Sequence, residues 1–181
     1  MQGGGNSGGL AADRLVEQAD RELKSGNLAK ALEHLDAAAG IHHGRGDRAS
    51  QARCLQLVAM TARLSGSLDV ARRRAEKAMQ CAPPHSVVAV QAAAEAGEIA
   101  MAADHVATAV AAYGKAVELM IGVRDVPDAL RAGIHRRRGM ALAVGGAMAD
   151  AVQELTEAAG FYANSDDGVA ARRALAPIFA Q

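Results

Sequence analysis

Aromatic residues make up only 2% of this 181-residue chain, and tryptophan is absent. Half of the residues are apolar, but much of that half is alanine, the strongest helix former and a small contributor of buried area. The chain is therefore biased toward helices that pack closely through small side chains. Strand signals are nearly missing, with no sustained period-2 alternation and few β-branched runs. Twenty basic residues balance twenty acidic ones; without a basic excess, a nucleic-acid partner is not expected. The most apolar stretch, Ser86 to Gly114, is interrupted by Glu95, Glu98 and Asp104. At roughly 2.5–3.5 kcal/mol per central charge it makes a poor membrane span, and no membrane insertion is expected. Met1 to Gly9 is rich in glycine and lacks the charged and apolar regions of a signal peptide. The two cysteines, Cys54 and Cys81, form no C-x-x-C pair and read as buried small hydrophobes that suit a reducing compartment as well as any other. The expected location is cytoplasmic.

What the chain has is repetition. An alanine, an apolar or small residue four positions on and another alanine three beyond that recur as Ala31/Leu35/Ala38, Ala71/Ala75/Ala78, Ala109/Tyr113/Ala116 and Ala151/Leu155/Ala158. The leading alanines are 40, 38 and 42 residues apart (71−31, 109−71, 151−109). A period in that range marks an array of small supersecondary units. Break residues divide the array into helices. The pattern predicts helices over Ala11–Lys24, Leu28 to about His42, Asp47 to Leu64, Leu68–Gln80, Val87–Met101, Val106 to about Ile121, and Met148–Phe161, with another opening near Asp125 and Pro127. Asn27 and Asp47 are placed as N-caps. Asp166-Asp167 reads as the cap of one more helix ending near Pro177. The expected organisation is a disordered Gly-rich tail over 1–10, then four repeats over about 11–46, 47–84, 85–123 and 124–163, and a capping helix over 166–176.

These residues resemble the tetratricopeptide repeat family, in a variant with longer helices and units of about 40 residues rather than about 34. The second repeat carries the resemblance best: Leu55, Val58-Ala59, Gly66, Leu68, Ala71, Ala78 and Pro83. In the third, the couplet Ala96-Gly97 precedes Ala109, Tyr113 and Ala116. The fourth departs from the pattern, with His135 and Arg138 where large apolar residues are expected. The resemblance implies an all-α, right-handed superhelical solenoid of four antiparallel helix pairs plus a C-terminal capping helix. It also implies a protein-interaction module, an adaptor or partner-specific chaperone that binds a peptide or protein segment in a concave groove lined by the first helix of each pair. A self-assembling scaffold or a peptide-sensing regulatory domain is the alternative. The inner-face positions are Val16 and Asp20; Gln56, Met60 and Arg63; Glu98 and Met101; and Arg136 and Met140. Of these, Gln56, Met60, Arg63, Glu98, Met101, Arg136 and Met140 are the expected partner-binding residues. Methionine is over-used at adaptable surfaces, and Arg63 with Arg136 would suit an acidic partner. Val16 and Asp20 replace the cationic and amide residues with which co-chaperone members grip a terminal carboxylate, so that clamp is not expected.

Charge is banded: residues 50–83 hold six basic against two acidic residues, and 84–123 hold one against four. Such bands suit a charged partner or end-to-end self-association. Arg72-Arg73-Arg74 and Arg136-Arg137-Arg138 each spread around a helix and read mainly as solvated faces. Gly3, Gly5 and Gly8 spell a dinucleotide pattern without the strand that it needs. Arg45-Gly46-Asp47 reads as a turn and a helix cap, and His42-His43 as exposed helix-end residues. No nucleophile elbow, metal pair or phosphate loop occurs, so neither catalysis nor a cofactor or metal is expected.

Overall fold

A computed structural model of the chain describes residues 4–161. These residues form eight α-helices and no strand: α1 Gly4–Lys24, α2 Leu28–Gly44, α3 Arg48–Leu64, α4 Leu68–Cys81, α5 Val87–Ala102, α6 Val106–Ile121, α7 Asp128–Val144 and α8 Met148–Phe161. The chain divides into two compact units, residues 1–95 and 96–181, with the division inside α5. In the first unit, α2 packs against both α1 and α3, and α3 against α4. In the second, α7 packs against α6 and α8. The helix expected over 166–176 lies outside the described residues.

The alanine phrase is the core. None of its twelve residues, from Ala31 to Ala158, is more than 1% exposed. Small side chains at a seven-residue span on one face let helix axes approach closely, and the middle position sets how much room the facing helix must leave. Where that position is Tyr113, the facing residue of α5 is Gly97, and a methyl added there would lie 2.6 Å from the Tyr113 ring. Where it is Leu155, the facing residue of α7 is Gly139, with only 2.8 Å for a methyl. In the third and fourth repeats the first helix and the phrase therefore act as one packing motif, glycine opposite the large side chain.

Helix starts and stops follow local chemistry. Asn27 and Asp47 cap α2 and α3, accepting from the backbone N–H of Lys30 and Ser50 at 3.4 and 3.0 Å. The turns inside the first, second and fourth pairs, and the turn between α2 and α3, each need a left-handed residue: Gly26, Gly66, Gly146 and Gly46, with φ of 71–83°. In the third pair Asp104 takes that conformation, at φ 59°. Pro127 stands just before α7 rather than inside its first turn.

Two expectations need correction. α1 begins at Gly4, so Gly5, Gly8 and Gly9 belong to a helix rather than to a loose tail. Their low intrinsic propensity is offset by a tertiary contact: the Arg45 side chain lies over Gly8 and Gly9, with Ile41 beside Gly8. The expectation of exposed histidines holds for His43 only. His42 is buried at 7% exposure, with its Nδ1 3.4 Å from Asp47 Oδ2.

Candidate functional site

The first helices of the pairs, α1, α3, α5 and α7, carry the residues that the sequence singles out. In the first unit a cleft of about 330 Å³ opens along α1 and α3. Half-buried Val16 and Leu57, with buried Cys54, supply its apolar lining. Asp13 and Glu17, one turn apart on α1, stand at its edge with Arg53 of α3, and among the described residues none of the three makes an ion pair. His42 and Ser50 complete it. Hydrogen bonds from Ser50 hold the Asp47 carboxyl below the ordinary carboxylate range, outweighing the opposing effect of burial, with a lesser contribution from the nearby Arg45 charge. The cap of α3 thus stays ionised beside the cleft. Burial pushes the Cys54 thiol up to about 11, so it lines the cleft as an apolar group and not as a nucleophile.

The expected partner-binding residues fall into two groups. Gln56 and Met60 on α3 are half-buried, Met140 on α7 is 46% exposed, and the Arg136 guanidinium reaches the Met140 sulfur at 3.6 Å. The others are engaged inside the fold. Arg63 Nε donates to Glu95 Oε1 at 2.6 Å, and Glu95 is buried. Glu98 Oε1 accepts from the Tyr113 hydroxyl at 2.7 Å and pairs with Arg137 Nε at 2.9 Å. Met101 packs on the cluster of Ala100, Ala109, Tyr113 and Ala141. The cleft residues Asp13, Glu17 and Arg53 were missed in sequence, although the i, i+4 spacing of the two acids on one face of α1 was a usable signal.

The irregular fourth repeat has a structural explanation. His135 Nδ1 lies 2.7 Å from Glu154 Oε2 and Arg138 Nη1 2.6 Å from Glu154 Oε1, while the His135 ring stacks on Phe161. A hydrogen-bonded triad between α7 and α8 replaces the expected apolar contact. Among the described residues no group of histidine, cysteine and carboxylate side chains is placed to hold a metal ion, and no helix is long and apolar enough to cross a membrane.

The arrangement of paired helices is matched in solved structures. BtubC from P. vanneervenii is 15% identical with a TM-score of 0.74, over 84% of this chain and 63% of that one. The kinesin light chain TPR-like repeats of Podosopora anserina are 18% identical with a TM-score of 0.74, over 92% and 84%. This chain has the tetratricopeptide-repeat fold. A tetratricopeptide repeat protein from Parabacteroides merdae is similar as well, at 14% identity and a TM-score of 0.68, over 94% of this chain and 61% of that one. The chain thus spans under two thirds of the length of BtubC. No family model matches the chain, and no curated protein matches it by sequence.

Proposed function

We propose that this tetratricopeptide-fold chain is a cytoplasmic protein-interaction module, an adaptor or partner-specific chaperone, that binds a peptide or protein segment along its first helices and acts by binding rather than by catalysis. The observation that supports this reading is the cleft along α1 and α3. Its apolar lining of Val16 and Leu57 is bordered by charges that have no ion-pair partner among the described residues. A segment carrying an apolar side chain flanked by opposite charges would complete both the lining and the edge. Gln56 and Met60, farther along α3, and Arg136 and Met140 on α7 offer further contacts in each unit.

Selection of peptides from a displayed library, followed by calorimetry, tests the proposal. Charge reversal at Asp13 and Arg53 perturbs no described ion pair and should weaken a selected peptide by about tenfold or more. Unchanged affinity in both variants would sink the cleft as the binding site. Arg63 is a poor probe, because its reversal would place two carboxylates at a buried pair.

A second reading, self-assembly, draws on the exposed apolar residues of the second unit. Met140 and Val144 are 46% and 66% exposed one turn apart on α7, and Ile121 is 86% exposed. Light scattering over a range of concentration and salt separates the readings, since a monomer throughout excludes the scaffold.

A further inference from the structure

The second helices hold a site of different character, independent of the cleft just described. Between α2, α3 and α4 lies a cavity of about 240 Å³. In its wall is Gln51, from the first turn of α3, which is only 5% exposed. Its side-chain amide makes no hydrogen bond to any described residue. The residue is buried, but its amide atoms are not sealed from solvent, so water or an entering group can bond to them from the cavity.

The surrounding charges say what that group is. Asp36 Oδ2 accepts from Arg74 Nη2 at 2.9 Å across the cavity wall, so these two largely offset each other. Lys77 also lines the cavity and has no ion-pair partner among the described residues. A second cleft, of about 410 Å³, shares Arg74 and Lys77 as walls and adds Arg73, likewise unpaired. The two openings therefore form one track along α4 with two uncompensated positive charges. A dianionic group would meet Asp36, whereas a single carboxylate can accept from the Gln51 amide and face Lys77. Gly40 lies at the cavity, and a methyl placed on it would meet no atom within 4 Å, so the entrance is open.

We propose that this track binds an acidic peptide segment, one carboxylate side chain entering the Gln51 cavity and a neighbouring one lying beside Arg73. A segment, rather than a small free acid, is the occupant because the two clefts share walls and only a chain reaches both. This gives the Arg72-Arg73-Arg74 run a role beyond a solvated face.

The test is nuclear magnetic resonance of the full chain, observing the Gln51 side-chain amide. The probes are capped peptides with two glutamates separated by one to four alanines, the same peptides with glutamine, and glutarate. The expected result is a saturable shift with at least one glutamate peptide and none with its glutamine counterpart. That shift should disappear in Gly40→Phe, whose ring fills the open entrance, and Lys77→Ala should weaken binding by about tenfold. Circular dichroism establishes that both variants are folded; Lys77 is exposed and Gly40 borders open space, so both substitutions leave the packing alone. Absence of a shift with every glutamate peptide would overturn the proposal, as would an equal response to glutamine peptides or persistence in Gly40→Phe. Glutarate binding as tightly as the peptides would overturn the assignment to a segment.

Discussion

Replacing Gly97 by alanine should destabilise the second unit, although alanine is the better helix residue. The new methyl would lie 2.6 Å from Tyr113 Cε1, 2.7 Å from Cδ1 and 2.8 Å from Cζ. Tyr113 cannot swing aside: it is 1% exposed, and its hydroxyl is held by Glu98, which Arg137 holds in turn. Overpacking of this kind costs about 1–3 kcal/mol, and the helix gains about 0.5–1 kcal/mol from losing a glycine. The net expectation is a loss of up to about 2.5 kcal/mol, centred on about 1 kcal/mol. Gly40→Ala supplies the reference, since it adds the same methyl in mid-helix where nothing lies within 4 Å, and it should stabilise by about 0.5–1 kcal/mol. Equilibrium urea unfolding followed by far-ultraviolet circular dichroism measures both. A cycle with Tyr113→Ala isolates the clash, because on that background Gly97→Ala should be neutral or stabilising. If Gly97→Ala proves as stable as wild type, or gains as Gly40→Ala does, the complementarity of couplet and phrase is refuted.

Asp104→Gly should stabilise by about 0.5–1 kcal/mol, since it relieves a left-handed backbone at the one turn inside a helix pair that lacks glycine there, less the added freedom of the unfolded chain; urea unfolding showing a loss would contradict it. Glu154→Gln should cost about 3 kcal/mol, because it strands Arg138 and His135 around a neutral amide in a half-buried site. Replacing His135, Arg138 and Glu154 together by leucine should be neutral or stabilising, and a larger loss than for Glu154→Gln would show that the triad is worth more than apolar packing. Because the Cys54 thiol titrates near 11, iodoacetamide at pH 8 should label it about a hundredfold or more slower in the folded chain than in urea. The thiolate fraction rises with pH toward 11, so folded-state labelling should speed up over that range, and a pH-independent rate would rule out the burial account.

The helices themselves were legible in sequence because their signals are local. Val106–Ile121 and Met148–Phe161 stand where their periodicity placed them, and Asn27 and Asp47 cap as their spacing demanded. The start of α1 was not legible, because glycine propensity argues against a helix and the compensating Arg45 contact comes from thirty-six residues away (45−9). The burial of His42 was hidden for a related reason: its neighbour His43 is identical in type and exposed, and only the packing of α2 on α1 and α3 distinguishes them.

Candidate binding residues were legible as positions on a face but not as available groups. Arg63 and Glu98 sit on the first helices as expected, yet each is already bonded inside the fold. Arg53 and Gln51, which are not, carry no motif, and Asp13 and Glu17 carry only their i, i+4 spacing. The sequence by itself determined the repeat, its helix boundaries other than the start of α1, and its alanine core, since each depends on residues within a turn or two of one another. Tertiary structure alone decided which polar groups are satisfied. The partners in Arg63–Glu95, Arg74–Asp36 and Arg138–Glu154 are 32, 38 and 16 residues apart. Such pairs form only when helices stack, and no local period records which charge will find another.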